Sequence, residues 1–247
     1  MAEVVHLHRR GAIAVIEMAD REGRNTFTRE LVGGLGVALK AIAADSAIRV
    51  AVIHGYDSIF CAGGTHEELL TLAEHKVTFD AHDFYRALLD CPVPVIAAMQ
   101  GHALGGGLVF GLYADLVVLA QEAIYAANFM KYGITPGMGA TLLLPMKLGV
   151  PLANEMLFSA NGYHGGTLRE RGIGIPVVPR AETVPTALKL ANDLADKAPV
   201  ALRMLKQAMN HRLLQELPAA IEREKAMHEE SFAQPDVIGR INERFGR

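Results

Sequence analysis

Short apolar runs alternate with longer amphipathic stretches along most of this chain. Residues 4–7 and 12–18 alternate or run apolar on either side of an Arg10-Gly11 turn, the pattern of a hairpin. Thr28 is placed to cap a helix over residues 29–43. There Leu31, Leu35, Leu39 and Ile42 recur at three-to-four-residue spacing, and Glu30 falls in the first turn, where the helix dipole favours an acid. Residues 49–53, 93–98 and 116–119 are β-branched or apolar runs separated by helix-length intervals, so strands alternate with helices and the fold class is α/β. Beyond about residue 180 the strand signals stop. Residues 183–195, 200–214 and 218–232 read as helices punctuated by Pro185, Pro199 and Pro218. The expected division is a core over residues 1–195 and a helical region over 196–247.

Composition narrows the function. With 247 residues, 51% hydrophobic and 21% charged, the chain can bury a large core, which excludes a disordered protein. Its 24 basic and 27 acidic residues leave a formal charge of −3 and no basic field, so nucleic acid is not an expected partner. The apolar stretches 92–99 and 105–119 are broken by Pro, Gly, Tyr113 and Asp115, and no membrane span is expected. The first ten residues lack the apolar run of a signal peptide. With Cys61 and Cys91 as the only cysteines, a reducing cytoplasm is the expected location. The histidines lack metal-site spacing and no metal is expected. Cys61 has no histidine at a spacing that would mark it as a nucleophile, so it reads as a packed thiol.

Two glycine-bearing segments carry the candidate chemistry: Phe60-Cys61-Ala62-Gly63-Gly64, and Gly101-His102-Ala103-Leu104-Gly105-Gly106-Gly107. Each follows an expected strand, and glycine lets backbone N–H groups approach a ligand closely. The second leads into an apolar helical stretch, whose N-terminus favours negative charge. Such donors could hold a thioester oxygen; equally, the glycines could serve only tight turns or close packing. A dinucleotide site is disfavoured, because the triplet is not in the nucleotide-binding spacing and no acidic residue ends a following strand.

These segments, with Pro94-Val95-Ile96-Ala97-Ala98-Met99-Gln100 before the second, then Ala114-Asp115 and Gly133-Ile134-Thr135-Pro136-Gly137-Met138-Gly139, resemble the crotonase (enoyl-CoA hydratase/isomerase) superfamily in order and spacing. Arg24-Asn25-Thr26-Phe27 and the helix over residues 199–209 also fit, so the resemblance spans about residues 4–245. It implies a crotonase fold, a spiral of strand-strand-helix turns, with a C-terminal helical subdomain that completes the pocket and builds a homotrimer, which doubling would make a hexamer. By position, Gly64 and Gly106 would donate the two oxyanion-hole N–H groups.

The resemblance also shows what is missing. Hydratases of the superfamily use two glutamates, and Val109 and Phe129 stand at those positions here. An apolar side chain neither takes nor gives a proton, so the acid–base pair of hydration is absent. A drier pocket that still stabilises an enolate suits loss of a carboxylate. The stretch Ala127-Asn128-Phe129-Met130-Lys131-Tyr132-Gly133 and onward to Thr141 is similar to the decarboxylating homologues of polyketide β-branching cassettes. That resemblance implies decarboxylation of a 3-methylglutaconyl group, carried on the phosphopantetheine of an acyl carrier protein or on CoA, to 3-methylcrotonyl or its β,γ isomer. No further cofactor is implied.

His228 lies seven residues after Ile221 and four before Phe232, on a mostly apolar helix face, so it points inward. This pattern fits a packed core histidine. Met227-His228-Glu229 with Ser231-Phe232 resembles the subfamily's catalytic histidine segment, which implies proton transfer to the dienolate. The subfamily also implies a carboxylate-orienting lysine after the first oxyanion segment, for which Lys76 is the candidate. Tyr85 is the tyrosine candidate for the pocket, or else packs on a helix. His66, His75 and His82 read as solvated, with His66 close enough to Gly64 to line the pocket as well. Glu67 and Glu68 read as carboxylates of a first helical turn, or as the base of a rival isomerase or hydratase. A third reading is a catalytically silent thioester-binding scaffold.

Overall fold

The computed structural model describes residues 3–74 and 83–245. Strands β1 (Val5–Arg10) and β2 (Ile13–Met18) form the expected antiparallel hairpin, with Val5 opposite Met18. Helix α1 (Arg29–Ala44) begins where the cap predicts: Thr28 Oγ1 accepts from the Leu31 N–H at 3.2 Å. Leu31, Leu35, Leu39 and Ile42 are its buried stripe.

Three strand-strand-helix turns follow. The first is β3 (Val50–His54), β4 (Ile59–Cys61) and α2 (His66–Ala73), with the short α3 (Ala87–Asp90) after it. The second is β5 (Val95–Met99), β6 (His102–Leu104) and α4 (Gly106–Leu112). The third is β7 (Leu116–Ala120) and β8 (Ile124–Ala126), then a 3₁₀ turn over Asn128–Tyr132 and α5 (Ala140–Leu148). Helix α6 (Val150–Ser159), β9 (Gly162–His164), α7 (Gly165–Glu170), β10 (Val177–Val178) and α8 (Arg180–Ala195) lead to the long α9 (Pro199–Phe232) and to α10 (Val237–Phe245).

In each turn the first strand joins one sheet and the second joins another. The larger sheet runs β1-β2-β3-β5-β7-β10, parallel from β2 onward; the smaller runs β4-β6-β8-β9, with only β9 antiparallel to its neighbour. Successive turns therefore stack like a spiral, as the resemblance implied. Strand alternation divides the larger sheet's two faces. Ala51, Ile53, Val95, Ala97 and Met99 enter the main core, whereas Val50, Val52, Ile96 and Ala98 pack under Ala187 and Ala191 of α8.

The C-terminal region departs from expectation at Pro218. Two helices separated there were expected, but α9 runs unbroken for 34 residues with Pro218 inside it. A proline frees the carbonyl four residues earlier. Pro218 and Leu214 both lie on the exposed side of α9, so water can satisfy that carbonyl, while Leu213, Leu217 and Ala220 hold the opposite face in the core.

Candidate active site

The two glycine segments leave the same end of neighbouring parallel strands, because β4 pairs with β6 (Cys61 opposite Ala103). They touch. Gly63 has φ +89, and a Cβ there would lie 2.6 Å from the Leu104 oxygen and 3.3 Å from the Gly106 nitrogen, so only glycine fits. The Gly63 carbonyl accepts from the Phe27 N–H at 2.9 Å, and the Gly105 carbonyl accepts from the Leu108 and Val109 N–H groups at 3.1 and 3.3 Å. A trans peptide directs its N–H opposite to its C=O. The N–H groups of Gly64 and Gly106 therefore point away from these partners, and among the described residues no backbone carbonyl uses either. Gly106 also opens α4, where the first N–H groups lack intrahelical acceptors.

A cleft begins beside this pair. A Cβ on Gly106 would lie 2.8 Å from Met138 Sδ and 2.8 Å from Phe27 Cε2. Met138 in turn lines a cleft together with Tyr85, Ile221, Glu224, Lys225 and His228. Met138 thus stands between Gly106 of α4 and the cleft lined by Tyr85, from the turn before α3, and His228 of α9. Gly64 is linked to them through Gly63.

One face of α9 holds the loop of residues 135–141 at successive heights. His228 is 7% exposed, and its Nε2 donates to the Thr135 carbonyl at 2.9 Å. A carbonyl only accepts, so this pose requires the proton on Nε2. Burial draws the imidazole below its usual 6.5, and the Thr135 and Pro136 carbonyls oppose the shift. Ser231 Oγ lies 3.1 Å from Thr135 Oγ1. Glu224, one turn before His228, is 2% exposed and accepts from the Gly139 N–H at 2.7 Å, the Thr141 N–H at 2.8 Å and the Thr141 hydroxyl at 2.6 Å. It closes the N-terminus of α5. Burial pushes its carboxyl up from 4.5, while the Thr141 and Gly139 donors pull it back. Sequence reading missed Glu224. The usable signal was a glutamate and a histidine four residues apart within an apolar stripe of α9.

Val109 is fully buried in α4 and Phe129 is buried in the 3₁₀ turn, so both positions are apolar and belong to the main core. Tyr85 is 4% exposed and packs against Phe84 and Tyr113. His66 is half-buried, its Nε2 lies 2.9 Å from Asn242 Oδ1, and its ring stacks on Phe245 at 5.0 Å, so α10 engages it. Glu67 is exposed, while Glu68 Oε2 would lie 3.6 Å from a Cβ on Gly64. Lys76, His75 and His82 lie outside the described residues. Cys61 is the packed thiol expected, donating to the Asn25 carbonyl at 2.9 Å and pushed up to about 12 by burial. Among the described residues no helix is long and apolar enough to cross a membrane, and no three potential ligands cluster around a metal position.

A β-β-α spiral with paired glycine N–H groups at one strand end defines a thioester-handling class, and the chain belongs to the enoyl-CoA hydratase/isomerase family, which it matches over residues 8–242. Within that family it is similar to decarboxylases. The bacillaene synthase decarboxylase PksI of Bacillus subtilis (strain 168) is 44% identical over 235 residues, covering 95% of this chain and 94% of that protein. A solved structure of a dehydratase/decarboxylase enzyme couple involved in polyketide β-branching superposes with a TM-score of 0.97 at 44% identity, covering 99% of this chain and 100% of that one. The ECH2 decarboxylase domain of CurF from Lyngbya majuscula superposes with a TM-score of 0.95 at 39% identity, again over 99% and 100% of the two chains.

Proposed function

We propose that this chain decarboxylates a 3-methylglutaconyl thioester carried by an acyl carrier protein, forming 3-methylcrotonyl or its β,γ isomer during polyketide β-branching. One observation carries the reading: the two glycine segments meet where β4 and β6 end, Met138 joins Gly106 to a cleft lined by the buried His228, and Val109 and Phe129 occupy the positions of the hydratase glutamates.

The substrate carboxylate sits on the γ carbon, vinylogous to the thioester. Breaking the bond to CO2 sends its electron pair through the C2–C3 double bond onto the thioester oxygen, where Gly64 and Gly106 stabilise the dienolate. A substrate carboxylate near His228 favours the imidazolium. Loss of neutral CO2 moves that negative charge away from the γ carbon onto the thioester oxygen held by Gly64 and Gly106, and at the carboxylate's former place burial again disfavours the cation. The histidine becomes a stronger acid when the dienolate needs a proton. Delivery to the γ carbon gives 3-methylcrotonyl, and delivery to the α carbon gives the β,γ isomer. Lys76 is assigned to orient the carboxylate. The chemistry itself needs no cofactor beyond the pantetheine arm.

The partners are the carrier protein and further copies of this chain. Val200, Met204, Leu205 and Met209 are all more than half exposed along α9, an apolar row that suits a homotrimer in the cytoplasm. Mass spectrometry of a carrier-bound 3-methylglutaconyl group tests the reaction: the acyl mass should fall by one CO2. No change with active carrier would remove the proposal and favour a silent scaffold.

The position of Glu68 beside Gly64 supports a second reading, an enoyl thioester isomerase or hydratase with Glu68 as base. Hydration or double-bond migration of a crotonyl thioester, without CO2 release from the glutaconyl one, would favour it.

A further inference from the structure

We infer that Asn25 is a positioning residue, whose buried side chain latches the segment Phe60–Gly64 to the loop of residues 20–28 and so aims the Gly64 N–H at the thioester oxygen. The inference rests on the oxyanion role proposed for Gly64.

Asn25 has no exposed surface, and both ends of its amide are bonded. Its Nδ2 donates to the Met18 carbonyl at 3.0 Å and to the Phe60 carbonyl at 2.9 Å, and its Oδ1 accepts from the Asp20 N–H at 2.8 Å. Met18 ends β2 in the larger sheet and Phe60 lies in β4 of the smaller one. These two strands are not ladder partners, so this amide is a direct tie between them. Arg24 and Asn25 both take left-handed backbone angles, φ 53 and φ 52, a conformation asparagine tolerates better than most residues.

That local conformation presents a row of partners to the oxyanion segment. Cys61 Sγ donates to the Asn25 carbonyl at 2.9 Å, the Ala62 N–H to the Arg24 carbonyl at 3.2 Å, and the Phe27 N–H to the Gly63 carbonyl at 2.9 Å. The last bond fixes the Gly63–Gly64 peptide plane, and with it the opposite direction of the Gly64 N–H. The far side of the loop is anchored too. Asp20 accepts from the Gly23 N–H at 2.7 Å and from the Thr28 hydroxyl at 3.0 Å, and Thr28 caps α1.

A purely structural asparagine would affect stability alone, whereas a positioning one alters the polarisation of bound substrate. The test uses full-length protein and Asn25→Gly, which keeps the left-handed angle accessible while removing the amide. The carbonyl stretch of bound 3-methylcrotonyl-pantetheine, labelled with ¹³C at the thioester carbon, reads the donors without turnover. In the wild type it should shift to lower frequency. In folded Asn25→Gly most of that shift should be lost, with kcat for decarboxylation down about 100-fold and KM nearly unchanged, because misplacement by about 1 Å suffices for such a loss. An unshifted wild-type carbonyl would sink the oxyanion reading itself. A shifted wild type with an equally shifted, fully active variant would overturn the Asn25 assignment alone. If Asn25→Gly does not fold, hydrogen exchange on the wild type decides: the Phe27 amide should exchange as slowly as those of β3, and exchange at the rate of an open turn overturns the latch.

Discussion

Glu224 Oε2 lies 2.7 Å from the Gly139 nitrogen, so a carboxylate on α9 closes the N-terminus of α5 one turn away from His228. Removing it should release the loop that holds the histidine. Glu224→Ala leaves the buried Gly139 N–H and the half-buried Thr141 N–H without their acceptor, which costs about 1–3 kcal/mol for the buried one and less for the other. Urea unfolding should show a lower midpoint for Glu224→Ala, and Glu224→Gln, which retains one acceptor oxygen, should fall between it and the wild type. Equal midpoints for alanine and wild type would mean that the cap contributes nothing.

His228→Gln should lower kcat for decarboxylation by about 10²–10⁴-fold, the usual range for a lost general acid, with KM affected less. Steady-state assays with the carrier-bound substrate measure this. A variant of unchanged kcat would assign the reprotonation to another group.

Gly106→Ala should be nearly inactive while still folded. The added methyl would sit 2.8 Å from Met138 Sδ and from Phe27 Cε2, both ends of side chains that can shift, but the opening turn of α4 moves with them. Loss of one oxyanion donor typically costs about 10²–10³ in kcat. Circular dichroism paired with the CO2 assay separates this outcome from unfolding.

Acid should destabilise the protein near neutrality. Burial lowers both His228 and His102 below 6.5, with Arg180 and His164 adding to the effect at His102. The unfolded chain then binds protons first, so the stability is present above pH 6.5 and is lost as pH falls through the folded values. His102 Nδ1 accepts from the Ile124 N–H at 2.9 Å, a bond that protonation at that nitrogen removes. The Tm should fall as the pH is lowered below 6.5, and His102→Gln should fall less. A Tm that climbs over that range contradicts the assignment.

Lys206 and Asp115 form a buried pair at 2.8 Å, with Asn210 also bonded to Asp115. Lys206→Met leaves the carboxylate without its cation, with only Asn210 and the Val95 N–H as donors among the described residues, and should cost about 3–5 kcal/mol by denaturant unfolding. Lys206 is about 33 Å from His228 along α9, at 1.5 Å of rise per residue. Decarboxylation per folded protomer should therefore be unchanged, and a specific loss of kcat would show that the pair is coupled to the site.

Much of this was readable from local pattern. The stripe of Leu31, Leu35, Leu39 and Ile42 and the cap at Thr28 predict α1, because helix periodicity and end-capping are short-range properties. The apolar runs of β3, β5 and β7 are likewise local. The glycine segments, the apolar residues at 109 and 129, and the inward face bearing His228 were also visible. What the chain's own order could not state was the partner of each strand. Pairing depends on contacts between residues far apart in sequence, so the assignment of β3 and β4 to different sheets, and with it the meeting of Gly63 with Gly106, belongs to the tertiary structure. The same holds for α9. Local chemistry marks Pro218 as a break, but packing of Leu213, Leu217 and Ala220 on one side and water on the other carries the helix through. Glu224 and Asn25 show the limit most clearly: a polar side chain acquires its role from the backbone groups that folding brings to it, and those lie on other elements.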